Sequence, residues 1–330
     1  MIEFWIGIDV SKRKLDVACL DGRGKVKSRV FSNDAQGHDQ LGRWLVERGA
    51  ATQTAHACME ATGPYSEAPA TALADAGWRV SVVNPLSVKK FAESELARNK
   101  TDRADAAMLS RYCAKMQPDA WSPPSSEQRQ LRALVDRLQA LKDMHQQERN
   151  RLEGSAEMAQ SINDHLHWLE ERIKTLERDI DDHIDKHPSL KRDAELITSI
   201  PGLGSTTAAK LLAYVGDVRR FSSAKALSAF IGVTPRQRES GSSVRGRSSI
   251  SRLGHARVRQ ALFMPAMVAL KHNPAIKLFG ERLRANGLAK KAVITASMHK
   301  LVHEVYGVLR SGLAFDPARA ASRVDLQVSI

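Results

Sequence analysis

Cysteine is scarce in this 330-residue chain, and aromatic residues make up only 5% of it. The three cysteines, Cys19, Cys58 and Cys113, are far apart and form no C-x-x-C pair. This spacing excludes a disulfide framework and a thiolate zinc site, and it favours a reducing cytoplasm. No run of about 18 apolar residues occurs, and the apolar stretch at the N-terminus precedes its basic residues, the reverse of a secretory signal. These absences argue against membrane insertion and export.

Acidic residues are scarce in one part of the chain only. The chain has 50 Lys and Arg against 37 Asp and Glu, a net charge of +13. Residues 191–330 hold 23 basic and 8 acidic residues, whereas residues 1–190 hold 27 and 29. A neutral half joined to a strongly basic half indicates a polyanionic partner. We therefore favour nucleic-acid binding over a basic surface that serves only solubility.

The first 120 residues alternate strand and helix patterns. Strands are predicted at residues 4–8, 15–20, 25–31, 55–59 and 78–83, and helices at 37–48, 64–76 and 102–115. The resulting order, three strands followed by alternating helices and strands, is that of the ribonuclease-H-like (RuvC-like) fold. That fold is an α/β sheet with helices on both faces.

Two further segments follow a break rich in proline and serine at residues 118–126. Apolar residues at three-and-four spacing predict a pair of amphipathic helices over 127–188, either a hairpin within one chain or a coiled coil between chains. Residues 191–315 form a third, mainly helical and basic domain, and 316–330 a tail. The fold class is therefore α/β + α.

Four carboxylates lie at the ends of predicted elements. Asp9 ends the first strand and Glu60 the fourth, while Asp102 and Asp105 share a face at the start of a helix. If the first and fourth strands are neighbours, all four converge, and such oxygen ligands suit Mg²⁺ or Mn²⁺ acting on a phosphodiester. Each residue alone has an ordinary interpretation, such as a helix cap, a turn or a surface charge. Their shared placement favours the metal site.

Two segments of the third domain are typical of nucleic-acid contacts. Gly202 and Gly204, in IPGLGSTTAAK, predict a helix-hairpin-helix whose helix N-terminus binds phosphate, although an ordinary helical corner is the alternative. Residues 234–259 predict a phosphate-binding loop, or else a disordered basic arm. This loop has one acid, Glu239, and seven arginines: Arg236, Arg238, Arg245, Arg247, Arg252, Arg257 and Arg259. An apolar helix over 261–270 is expected to anchor it in a core.

The motifs GIDVSK, CMEATGPY, NKTDRADA and ESGSSVRG together resemble those of the IS110 family of DEDD transposases, the bridge-RNA-guided DNA recombinases of bacterial insertion sequences. The resemblance covers essentially the whole chain. It implies that Asp9, Glu60, Asp102 and Asp105 are a catalytic tetrad holding Mg²⁺, with Mn²⁺ as a substitute. Composition does not choose among Ser240, Ser242 and Ser243, but the resemblance identifies Ser240 as a nucleophile that forms a phosphoserine link to DNA.

The resemblance also implies the partners. These are donor and target DNA, a structured noncoding guide RNA, and further copies of the chain in a dimer or tetramer, with no membrane. We expect the protein to act at the nucleoid of a bacterial cytoplasm. Two other functions stay open on the residues alone: a RuvC-like two-metal endonuclease or junction resolvase with a structural serine, and a scaffold that binds nucleic acid without catalysis.

Overall fold

The computed structural model describes residues 2–61, 63–95, 101–154, 156–236, 239–240, 244–245, 249–251 and 253–318. Within these ranges, the backbone alone is described at Arg236, Ser240 and Arg245 and at a few neighbouring positions. The chain divides into two compact units, residues 1–123 and 124–330. In the described part of the chain, no helix is both long enough and apolar enough to cross a membrane.

The first unit is a five-stranded sheet with helices. Its elements are β1 (Phe4–Val10), β2 (Lys14–Asp21), β3 (Val26–Ser32), α1 (Ala35–Glu47), β4 (Ala55–Glu60), a 3-10 turn (Gly63–Tyr65), α2 (Glu67–Asp75), β5 (Arg79–Val83), α3 (Pro85–Ser94) and α4 (Asp102–Met116). The strand order is β3-β2-β1-β4-β5. Strand β2 runs antiparallel to β1 and β3, whereas β4 is parallel to β1 and β5. This topology is consistent with a ribonuclease-H-like domain, and the predicted adjacency of the first and fourth strands is confirmed.

The centre of this sheet is buried on both faces. Ile8 and Met59 on one face, and Ala18 and Cys58 on the other, are fully buried, as expected for central strands that are covered by helices. Helix α4 lies against β1 at Gly7, where an added Cβ would come within 2.0 Å of the Ala106 carbonyl oxygen. Glycine at this position therefore permits a close approach between helix and sheet.

One helix of this unit was not predicted. Helix α3 begins at Pro85, and the side chain of the N-cap residue Asn84 accepts a hydrogen bond from the Leu86 backbone N–H at 2.9 Å. An Asn N-cap followed by proline at the first helical position is a recognised helix start, so the sequence did contain the signal.

The second unit begins with two long helices, α5 (Ser126–Leu152) and α6 (Ala159–Lys186), with a 3-10 turn at Ala156–Met158 between them. The ion pair between Lys142 and Glu177 spans 2.7 Å, and His145 lies 3.2 Å from Glu170. The second pair uses a later residue of α5 but an earlier residue of α6 than the first pair does. The two helices are therefore antiparallel. Of the two predicted arrangements, this one is the hairpin within one chain.

The remainder of this unit is mainly helical. It comprises α7 (Pro188–Thr198), α8 (Ser205–Val215), a 3-10 turn (Val218–Arg220), α9 (Ala224–Ile231), four two-residue strands, β6 (Pro235–Arg236), β7 (Glu239–Ser240), β8 (Val244–Arg245) and β9 (Ser249–Ile250), and α10 (Ala256–His272), α11 (Pro274–Ala285) and α12 (Lys290–Ser311). One apolar core joins these helices to the base of the α5–α6 hairpin, and Leu131, Ile197, Val258 and Leu301 lie at its centre.

Candidate functional site

The register of the sheet brings two aspartates together. Asp9 near the end of β1 pairs with Asp16 of β2. Asp16 is 7% exposed, whereas Asp9 is half-buried. The sequence analysis did not select Asp16, although a charged residue inside the apolar strand run LDVACL is unusual enough to have indicated it.

Helix α4 brings a third carboxylate to the same place. The hydroxyl of Thr101 caps this helix by accepting a hydrogen bond from the Ala104 N–H at 3.2 Å. Thr101 is thus the N-cap, and the alternative in which Asp102 serves only as the helix cap is wrong. Because Gly7 lets α4 lie close to β1, the first turn of α4 reaches the acidic end of that strand.

Asp9, Asp16 and Asp102 form a compact acidic triad. Each contributes a carboxylate oxygen, and these three atoms lie within 4.8 Å of one another. The Lys14 ammonium reaches two members of the triad, at 2.6 Å from Asp102 Oδ2 and 3.0 Å from Asp16 Oδ2. A buried carboxylate needs such a partner, since its charge is otherwise poorly solvated.

The triad has a strongly negative field. Burial and then the negative charges of neighbouring carboxylates raise the pKa of Asp9 to about 6. These neighbours are Asp102, Asp105 and Asp16. The hydrogen bond from Lys14 lowers the pKa of Asp102, and the same contact, with a second one to Asp16, raises the pKa of Lys14.

The other two predicted carboxylates lie near the triad but are not members of it in the described part of the chain. Glu60 is the last residue of β4, and the parallel register that pairs Ile8 with Met59 places Glu60 beside Asp9 on the neighbouring strand. Asp105 lies in the first turn of α4, and its charge contributes to the raised pKa of Asp9. Both residues are half-buried.

The residues of the triad fit a divalent cation. Two oxygens on opposite sides of one Mg²⁺ are about 4.2 Å apart, because each Mg–O distance is about 2.1 Å. The spread of up to 4.8 Å in the triad is close to that separation. Carboxylate oxygens are also the hard ligands that Mg²⁺ and Mn²⁺ prefer.

The described parts of the serine segment form two short antiparallel strand pairs. Strand β6 pairs antiparallel with β9, and β7 pairs antiparallel with β8, with Ser240 opposite Val244. The Ser251 N–H donates to the Thr234 carbonyl oxygen at 2.9 Å and closes the base. We call residues 234–251 the serine hairpin. Its short strands lack the apolar alternation that would have predicted them. Ser242, Ser243, Arg238, Arg247 and Arg252 lie outside the described residues.

The segments on either side of the serine hairpin are held together by contacts between the end of α9 and the start of α10. The Arg259 guanidinium donates to the Ile231 carbonyl oxygen at 2.9 Å, and an added Cβ on Gly254 would lie 2.4 Å from the Phe230 oxygen. At the start of α10, Arg257 donates to Asp136 of α5, which also accepts a hydrogen bond from the Tyr214 hydroxyl at 2.6 Å.

The two glycines of the predicted hairpin-helix motif differ in their surroundings. Gly202 has φ +106°, and an added Cβ would lie 2.9 Å from Ala269 Cβ, so this glycine permits packing against α10. Gly204 is exposed in an extended conformation, directly before α8, with open space around its Cα. The exposed N-terminus of α8 is the part of this motif that can receive an anion.

Comparison with known proteins gives consistent matches over both units. A transposase model of the DEDD IS110 type matches residues 6–157, and a model described as "Transposase IS116/IS110/IS902 family" matches residues 194–281. The chain is 37% identical to the pilin gene-inverting protein of Moraxella bovis over 96% of this chain and 98% of that protein. It is 23% identical to the transposase for insertion sequence element IS1328 of Yersinia enterocolitica, over 81% and 84% of the two chains.

Proposed function

This chain belongs to the IS110 family of DEDD transposases and is a DNA transposase or recombinase enzyme, and we propose that it cuts and rejoins DNA strands through a covalent link to Ser240. The convergence of Asp9, Asp16 and Asp102 within 4.8 Å carries this proposal, because such an acidic centre suits metal-assisted phosphoryl transfer. The similarity over nearly all of a protein named for gene inversion supports rejoining as well as cutting.

Membership of a DEDD family implies the use of a divalent metal, and we propose Mg²⁺, with Mn²⁺ as a substitute. Asp9, Glu60, Asp102 and Asp105 are the proposed ligands, and the geometry adds Asp16 to the carboxylates that would hold the ion. When bound, the ion would polarise a phosphoryl oxygen and stabilise the charge that develops during strand cleavage. In this role Lys14 would balance the charge of Asp16 and Asp102.

Ser240 supplies the proposed nucleophile. Attack of its Oγ on a DNA phosphorus forms a serine–phosphate ester and breaks one P–O bond of the strand, and the serine proton is passed to the departing deoxyribose oxygen through solvent or a carboxylate. One phosphodiester is exchanged for another, so the energy of the bond is kept and a second DNA end can reverse the step. A hydrolytic nuclease would lose this energy.

The basic second unit is the proposed DNA-binding part of the chain. The N-terminus of α8, in a motif that we interpret as a helix-hairpin-helix, and the arginines of the serine hairpin would contact phosphates without reading sequence. These arginines are Arg236, Arg238, Arg245 and Arg247, with Arg252 just beyond. Sequence choice is left to a structured guide RNA, since backbone contacts hold any sequence whereas base pairing selects one.

We further propose that the protein acts as a dimer or tetramer, with residues 127–188 as a coiled-coil domain between a RuvC-like domain (1–120) and a transposase domain (191–315) that is followed by a tail (316–330). The middle segment consists of two long helices, α5 and α6, with charged outer faces. This supports treating it as a segment with a role separate from that of the two flanking domains.

A denaturing protein gel after incubation with labelled DNA, guide RNA and Mg²⁺ tests the proposed chemistry. A labelled band at the mass of the protein plus a DNA strand is expected, and it should disappear in Ser240→Ala. Free nicked DNA without this band would establish the hydrolytic nuclease instead. If neither product forms although DNA is bound, the chain is a nucleic-acid scaffold.

A further inference from the structure

An open groove of about 490 Å³ lies between α10 and α12 in the second unit. Ile250 of the serine hairpin forms one end of its lining. The remaining lining residues come from the two helices: Ala256, Arg259, Gln260, Phe263, Met264, Thr295 and Met298. The volume is in the range of about 300–1,000 Å³ that is usual for sites that bind small organic groups.

Helix α10 exposes apolar side chains at this groove. The sequence analysis expected the apolar run 261–270 to lie in a core, and one face does, with Leu262, Ala266 and Ala269 fully buried. On the other face, Phe263 is 39% exposed and Met264 62% exposed. A helix that is apolar on both faces but buried on only one has surface left for a ligand.

The electrostatics of the groove suit an anionic strand. No acidic residue is among the lining residues that the structure describes. Helices α10 and α12 together carry seven Lys and Arg and one acid, Glu304. Arg259 is one of the lining residues, and its guanidinium donates a hydrogen bond to the Ile231 carbonyl oxygen. This charge balance favours an anionic ligand such as nucleic acid over a neutral or basic protein segment.

We propose that this groove receives an unstacked nucleobase from the DNA strand that is held at the serine hairpin. The inference rests on the proposed function, because that function brings a DNA strand to Ser240 and hence to the hairpin whose base contains Ile250. It adds a base-binding subsite to a surface otherwise expected to contact only phosphates.

The lining matches the two chemical parts of a base. The ring of Phe263 offers a face for stacking, and the side chain of Met264 extends the apolar wall. The amide of Gln260, which is exposed on the same helix, can exchange hydrogen bonds with a base edge. Arg259 adds positive charge for the adjoining phosphate.

Photocross-linking tests the proposal directly. The full chain is mixed with a single-stranded oligothymidylate in which one base is iodouracil, with a chelator present to prevent cleavage, and is then irradiated and digested with trypsin. We expect the cross-linked nucleotide on the fragment 260–271, at Phe263 or Met264. Phe263→Ala should weaken binding of the strand between about fivefold and about a hundredfold, the loss typical when one base stops stacking on a ring.

Matched variants separate stacking from general effects. Phe263→Tyr should keep the cross-link and the affinity. Met267→Ala is the control, because Met267 is also 39% exposed on α10 but does not line the groove. Gln260→Ala changes an exposed side chain and should fold normally while weakening binding. An oligonucleotide with an abasic site in place of the iodouracil should be insensitive to Phe263→Ala.

Three results would overturn the proposal: no binding of the strand, cross-links only outside fragment 260–271, or equal losses from Phe263→Ala and Met267→Ala. The proposal would also be overturned if Phe263→Ala changed the oligomeric mass of the protein but not its binding of the strand. That result would show that the groove contacts another copy of the chain. The proposed function is judged separately by the covalent adduct, which requires metal. An adduct without the cross-link refutes the groove alone, and the cross-link without an adduct refutes the serine chemistry alone.

Discussion

The two units of the chain hold their proposed reactive groups in opposite ways. In the first unit, the carboxylates lie on central strands and on the first turn of a helix packed against them, in a unit with 17 Lys and Arg and 15 Asp and Glu. In the second, Ser240 lies in a two-residue strand, in a unit with 33 basic and 22 acidic residues. This difference predicts that the proposed metal centre depends on a rigid strand register, whereas the proposed DNA-binding surface depends on accumulated positive charge.

The largest effect on DNA cleavage should come from removing a proposed metal ligand in the first unit. Asp9→Ala should lower DNA strand cleavage by about a thousandfold or more, because a correctly held metal ion contributes several kcal/mol to phosphoryl transfer. Burial and neighbouring charges already disfavour the ionised Asp9, so its removal should not lower the melting temperature. Both quantities are measured on the purified variant.

Asp39→Ala is the matched control, since Asp39 is an exposed acid on α1 of the same unit. Its cleavage rate should equal that of the wild type. Glu60→Ala, Asp102→Ala and Asp105→Ala should behave as Asp9→Ala does, and full activity in any two of these four variants would refute a shared metal centre.

The next largest effect should come from the packing that positions the centre. Gly7→Ala places a Cβ 2.0 Å from the Ala106 carbonyl oxygen, so α4 must move away from β1. We expect a loss of about 1–3 kcal/mol in the free energy of unfolding of the first unit, together with weaker Mn²⁺ binding. In contrast, Gly42→Ala on α1 of the same unit meets no atom closer than 4.0 Å and should leave stability unchanged or raise it by about 0.4–1 kcal/mol. Urea unfolding measures both, and equal stabilities would show that the close approach at Gly7 is unnecessary.

In the basic second unit, DNA affinity should be spread over many residues and should depend on the salt concentration. Arg245→Ala combined with Arg247→Ala should reduce the slope of log affinity for DNA against log salt by about two. As a control, Arg151→Ala with Lys174→Ala removes two charges, each 65% exposed, from the α5–α6 hairpin. That pair should leave the slope unchanged. Equal slopes for all three proteins would place the DNA contacts on another surface.

The last effect is on stability alone and depends on pH; it concerns a single buried acid in the second unit, in contrast to the clustered acids of the first. Burial raises the pKa of Glu304 to about 7, although Asn273 donates a hydrogen bond to its carboxylate at 2.8 Å. The folded state therefore binds this proton more tightly than the unfolded state. The stabilisation from that proton is full below the unfolded pKa of 4.5 and is lost as the pH rises through about 7.

Glu304→Gln should consequently raise the free energy of unfolding by about 1–3 kcal/mol at about pH 8, and by much less at about pH 5. Urea unfolding at the two pH values measures the difference. Glu281→Gln, at an exposed position of α11, should show no such dependence. A Glu304→Gln variant that is no more stable than the wild type at the higher pH would show that this carboxylate is well solvated.

Much of the first unit could be predicted because its strands are buried on both faces and end at recognisable turn residues. The order of the elements then placed Asp9 and Glu60 on neighbouring strands. The apolar run LDVACL marks Asp16 as unusual, but its position beside Asp9 follows from the antiparallel register of β1 and β2. Register is a property of strand pairs, and a single strand pattern does not contain it.

Less of the second unit could be predicted. Its helices follow from apolar periodicity, but the strands of the serine hairpin are two residues long and are defined by their hydrogen-bonded partners. The apolar segment 261–270 was expected to be a core helix, yet Met264 and Val268 are exposed. Composition gives the hydrophobicity of a helix, whereas the elements packed against it decide which face is covered.

The covalent serine link is the central claim, and peptide mapping of a trapped protein–DNA adduct tests it most directly. The adduct is formed with DNA, guide RNA and Mg²⁺, digested with protease and nuclease, and sequenced by mass spectrometry. The account predicts a nucleotide remnant on Ser240, with normal adduct formation in Ser242→Ala and Ser243→Ala. A remnant on Ser242 or Ser243, or vigorous nicking by Ser240→Ala without any adduct, would contradict it.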